Sequence, residues 1–120
     1  MVMAPGTVVR FEDFGESPEL WGATQANFMV VQPAHHAIEA AVMLNTPASA
    51  FLAAALNVEQ TPEFRREITR IAGAAWIEHL AESGESIASI MTLSRAALEA
   101  SPAVVERIVQ AYGLAVPHHG

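Results

Sequence analysis

Cysteine is absent from the 120-residue chain. Disulfides, thiolate nucleophiles and zinc–thiolate sites are therefore excluded. The redox compartment stays undetermined by this absence. Lysine is absent too: all six basic residues are arginine, against 13 acids, and the net charge is −7. Six scattered arginines on an acidic chain make a poor nucleic-acid binder, because backbone affinity comes from neutralising phosphates. The same balance argues against an anionic membrane surface. Met1-Val2-Met3-Ala4-Pro5-Gly6 lacks the basic start and apolar run of a secretory signal, so a cytoplasmic location is expected. The uncharged run of residues 40–58 is cut by Asn45-Thr46-Pro47. Two buried helices fit it better than a membrane span, which needs about 20 mostly apolar residues.

What is present is a chain 52% apolar and rich in alanine, enough for one domain with a core. The longest helical pattern lies between Thr61 and Gly84. Thr61-Pro62-Glu63 reads as an N-cap followed by a proline whose φ is already set. Glu63 and Glu67 place negative charge near the positive helix end. Ser83-Gly84 supplies a left-handed stop. About 21 residues lie between these signals, or about 31 Å of helix. Phe64, Ile68, Ile71, Ala72, Ala75 and His79 share one face. Ala72-Gly73-Ala74-Ala75 is a smooth patch on which a neighbouring helix can approach closely.

The cap-plus-proline pattern recurs at Ser17-Pro18, Thr46-Pro47 and Ser101-Pro102, with Gln32-Pro33 as a weaker version. Read as helix starts, these give helices over residues 18–31, 33–44, 47–56, 62–82, 86–100 and 102–112. Residues 7–11, Thr-Val-Val-Arg-Phe, are β-branched and aromatic and read as an extended arm. The expected architecture is all-α: a small bundle of five to six short helices around the central ~21-residue helix, with an extended N-terminal arm. The expected division is arm 1–16, helical domain 17–113 and loose tail 114–120.

Candidate chemistry is sparse. His36-Ala37-Ile38-Glu39 and His79-Leu80-Ala81-Glu82 each place an imidazole and a carboxylate three residues apart. With Trp76 they suggest a small-ligand site between helix 33–44 and the central helix, formed by His36, Glu39, Trp76, His79 and Glu82. The order is reversed from the Glu-x-x-His of carboxylate bundle sites and further carboxylates are lacking, so no metal and no cofactor are assigned. Ser83, Ser86, Ser89 and Ser94 lie near His79, but the Gly-x-Ser-x-Gly elbow is missing. A helix-turn-helix reading of 86–112 fails on the turn glycine and offers only Arg95 and Glu99 to a groove. Arg65, Arg66 and Arg70 form a small basic patch. Arg66–Glu63 and Arg70–Glu67 are expected as ion pairs at spacing three, with docking to an acidic partner or small anion as the other reading.

Large apolar groups exceed what six short helices hide with ease. Phe11, Phe14, Trp21, Phe28 and Tyr112 are the expected interface residues, since aromatics are enriched at interfaces. The function expected is a helical protein–protein interaction or accessory subunit, homo-oligomeric or part of a larger assembly, without catalysis of its own. The alternative is a small-ligand or metal-binding protein, including an enzyme, using the histidine site. No nucleic-acid or membrane partner is expected.

Overall fold

A computed structural model describes residues 7–15, 24–33 and 35–115. It overturns the all-α expectation. The chain forms a four-stranded mixed sheet with four helices. The strands are β1 (Val8–Gly15), β2 (Thr24–Val31), β3 (Ile38–Leu44) and β4 (Ile90–Leu93). The helices are α1 (Thr46–Leu56), α2 (Pro62–Glu82), α3 (Arg95–Glu99) and α4 (Pro102–Ala115). The strand order is β1-β2-β3-β4. The first three run as an antiparallel meander, and β4 joins β3 in parallel after the chain has made α1 and α2.

Two expected helices are strands because their burial has period two. In β2 the buried positions are Ala26, Phe28 and Val30, with Gln25, Asn27 and Met29 between them. In β3 they are Ala40, Val42 and Leu44, with Glu39, Ala41 and Met43 between them. Alternation of this kind puts successive side chains on opposite faces. Alanine at 26, 40 and 41 blurs the pattern, because it reads as helix former and as core at once. Pro33 lies in the turn between β2 and β3 and starts no helix. The expected helix over 86–100 divides at Ser94, whose hydroxyl accepts from the N–H of Ala97 at 3.1 Å and so caps α3. The residues before it form β4. Ser17 and Pro18, and with them the start of the first expected helix, lie outside the described residues.

The arm has a partner after all. Residues 8–15 pair with β2 along their length. A bulge at Glu12 breaks the register between Phe11 and Asp13. Strict alternation would send positions 11 and 14 to opposite faces. The extra residue restores both to the inner face, where the Phe11 and Phe14 rings lie 4.9 Å apart and Phe11 meets Phe28 edge-on at 5.8 Å.

α2 runs along the inner face of the sheet and has the bounds that its end signals imply. The Thr61 hydroxyl accepts from the N–H of Phe64 at 3.0 Å, and Gly84 follows the helix at φ 72°. Asn45, not Thr46, caps α1, and Asn57 closes it in the left-handed region. The smooth patch on α2 receives the sheet and not a helix. A Cβ at Gly73 would lie 2.7 Å from Phe28 Cε1 and 3.2 Å from Val42 Cβ. α4 packs along the flank of α2 and runs through Gly113 to Ala115. Its Val104, Ile108 and Tyr112 complete one core with Leu52 of α1, Leu93 of β4 and Leu98 of α3.

Candidate functional site

All described helix–sheet packing falls on one face of the sheet. The opposite face carries Val8, Arg10 and Asp13 from β1, and Gln25, Asn27, Met29 and Val31 from β2. β3 adds Glu39, Ala41 and Met43, and β4 adds Ile90 and Thr92. Among the described residues no helix covers it. Val8 is 53% exposed, Val31 40% and Ile90 67%. Part of the face is polar and already satisfied: Gln25 donates to Asn27 Oδ1 at 2.8 Å, and Asn27 donates to Asp13 Oδ1 at 2.8 Å. The cross-strand row Arg10, Met29, Glu39 is different. It has an apolar centre between a cation and an anion, and no ion pair involves either charge among the described residues.

The two ends of α2 each open on a cleft. At the N-terminal end a cleft of about 570 Å³ lies between α2 and the ends of β1 and β2, lined by Phe14, Gly15, Thr24, Gln60, Pro62, Arg65 and Arg66. At the C-terminal end a cleft of about 590 Å³ is lined by Gln32, His35, His36, Ile38, Ala81, Gly84, Glu85, Ser86 and Ile87.

The five residues expected to form a ligand site do not converge. Glu39 points to the open face, away from α2. Trp76 and His79 stack on each other on α2, with ring centroids 5.6 Å apart. Glu82 accepts from Arg107 of α4 at 2.9 Å. His36 lines the C-terminal cleft with Glu85, but His79 and Glu82 do not line it. A strand in place of the expected helix explains the divergence, since Glu39 lies in β3 on the face away from α2 while His36 precedes the strand. Among the described residues no three His, Asp or Glu side chains are grouped to hold a metal ion. The Arg107 guanidinium holds the Glu82 carboxyl below its ordinary range. Burial raises that of Glu78, against the opposing pull of the same guanidinium.

Of the expected interface aromatics, Phe28 is fully buried and Tyr112 is buried edge-on against Phe64, with centroids 5.7 Å apart. Neither is open to a partner on the folded chain. Phe11 is half-buried, Phe14 is 36% exposed at the rim of the N-terminal cleft, and Trp21 lies outside the described residues. The open face was missed. Its signal was the period-two spacing of Arg10, Met29 and Val31 against Val9, Phe28 and Val30, which only a strand assignment could reveal. Of the two ion pairs expected on α2, Arg70–Glu67 forms at 2.9 Å. Arg66–Glu63 is not among the ion pairs of the described residues.

These elements define an α/β protein with a four-stranded mixed sheet, helices on one face and, among the described residues, no helix on the other. Comparison with protein families, with curated proteins and with solved structures finds no match for this chain.

Proposed function

We propose that this protein is a small interaction or accessory subunit that associates with a second copy of itself through the open face of its sheet. The observation that carries the reading is the Arg10–Met29–Glu39 row. A two-fold axis passing near Met29 lays Arg10 of each copy against Glu39 of the other, so the face is its own complement. Val8, Val31, Ala41, Met43 and Ile90 surround the row with apolar surface, of the kind that marks association sites. Strand spacing and rise give the face about 20 × 23 Å. Two such faces bury roughly 900 Å² in all, the scale of a weak, concentration-dependent dimer. Among the described residues no helix is long and apolar enough to cross a membrane. A cytoplasmic protein without nucleic-acid or lipid partners is the setting that the acidic charge favours.

The test is native mass spectrometry and sedimentation of the untagged chain over a wide concentration range. A monomer–dimer equilibrium is expected. Arg10→Glu and Glu39→Arg each weaken it, and the double exchange restores it. A strict monomer at the highest concentration overturns the reading, and so does a dimer indifferent to both reversals.

A further inference from the structure

The cleft at the N-terminal end of α2 holds two arginines without an ion pair among the described residues. Arg70, Arg95 and Arg107 each meet a carboxylate. Arg65 and Arg66, adjacent on the first two turns of α2, meet none among the described residues, and both line the cleft. The Arg65 Nε–H is cut off from solvent and has no hydrogen-bond acceptor. The Gln60 side-chain oxygen, on another residue of the cleft lining, is likewise buried without a donor. An N–H shut off from water without an acceptor costs free energy, and more so on a charged group. A chain with 13 acids and six bases has carboxylates to spare, yet none of the ion pairs described reaches these two arginines. The cleft volume, about 570 Å³, is in the range that holds small molecules. Phe14 and Pro62 give it an apolar wall, while Thr24 offers a hydroxyl. The positive end of α2 adds potential of the same sign.

We infer that this cleft binds a small organic anion, with a phosphate or carboxylate head between Arg65 and Arg66 and an apolar body against Phe14. The guanidinium groups supply charge-assisted donors to the head. The site lies on the helix side of the sheet and is separate from the open face.

The experiment is titration calorimetry of the full chain at fixed ionic strength, with phenyl phosphate, benzoate and inorganic phosphate as probes. Phenyl phosphate or benzoate is expected to bind, and to bind more tightly than inorganic phosphate. Which of the two is preferred tells a phosphate site from a carboxylate site. Arg66→Gln weakens binding about tenfold or more, the scale of one hydrogen bond to a charged group. Arg65→Met abolishes it without lowering the melting temperature of the free protein, because the substitution removes the unpaired buried N–H. Arg95→Gln, on α3 and outside the cleft lining, leaves it unchanged. No binding of any probe at ~10 mM overturns the inference. Loss of affinity equal in the Arg95 and Arg66 variants overturns it as well, since that marks general charge attraction.

Discussion

Gly73 is a point of close approach between α2 and the sheet, and Gly73→Ala tests that packing with a single methyl group. On an isolated helix the substitution stabilises by about 1 kcal/mol. Here the added Cβ would stand 2.7 and 2.9 Å from the Phe28 ring and 3.2 Å from Val42 Cβ. Phe28 and Val42 are both fully buried in the core and have no free space into which to move. Either the helix lifts off the sheet or the ring leaves its rotamer. Overpacking of this kind costs about 1–3 kcal/mol, and contact under 3 Å with a fixed ring belongs at the upper end. The two effects leave a net loss of about 2 kcal/mol. Urea unfolding followed by circular dichroism measures it. With a slope of about 2 kcal/mol/M, the midpoint falls by roughly 1 M while the slope stays constant. Phe28→Leu costs stability by itself, but combined with Gly73→Ala it should cost less than the sum, because the smaller side chain admits the methyl. A midpoint that stays or rises in Gly73→Ala refutes the close approach, for then helix propensity alone has decided the sign.

Two further outcomes follow from the helix ends and flanks. Arg107→Met removes the partner of Glu82 and lowers stability at pH 7 by at most about 1 kcal/mol, since the pair is partly solvated and screened. Because the folded Glu82 carboxyl sits below the ordinary 4.5, its contribution is present above that value and fades as pH falls through the lower folded value. The gap between Arg107→Met and the wild type, followed by thermal melts, should therefore narrow below pH 4.5, and a gap constant to pH 3 contradicts the assignment. Thr61→Ala takes away the hydroxyl that accepts from the Phe64 N–H and should cost about 1 kcal/mol in urea unfolding. An unchanged midpoint means that water caps α2 equally well.

α2 was legible because all its signals are local: a threonine, a proline, a glycine and a stripe of apolar residues between them. α1 was legible for the same reason, although its cap is Asn45 and the proline comes second. The sheet was not. Thr24–Val31 and Ile38–Leu44 contain the alanine, methionine and glutamine that helices favour, and their alternation is carried by side chains as small as Ala26 and Ala40. Their extended form is set by pairing with one another and by cover from α2, both of them non-local. Proline misled in the same way. At 62 it opens a helix, while at 33 it turns a hairpin. A fixed φ suits both, and only the neighbours distinguish them. The expected histidine site dissolved once β3 replaced a helix. The Arg65–Arg66 patch was visible in the sequence, but its isolation from carboxylates was not, because the same spacing that pairs Arg70 with Glu67 leaves Arg66 apart from Glu63.

β4 enters the sheet late in the chain. β1, β2 and β3 are near neighbours in sequence, and their contacts can form with little loop closure. Among the described strands Ile90–Leu93 has only β3 beside it, and residues 45–89, which carry α1 and α2, separate the two strands in the chain. Loop closure therefore costs more for the fourth strand, four residues long and paired along one edge, than for the three-strand meander. Ile90 thus reports completion of the fold. A partner whose binding depends on that side chain would discriminate the finished molecule from one still missing its last strand.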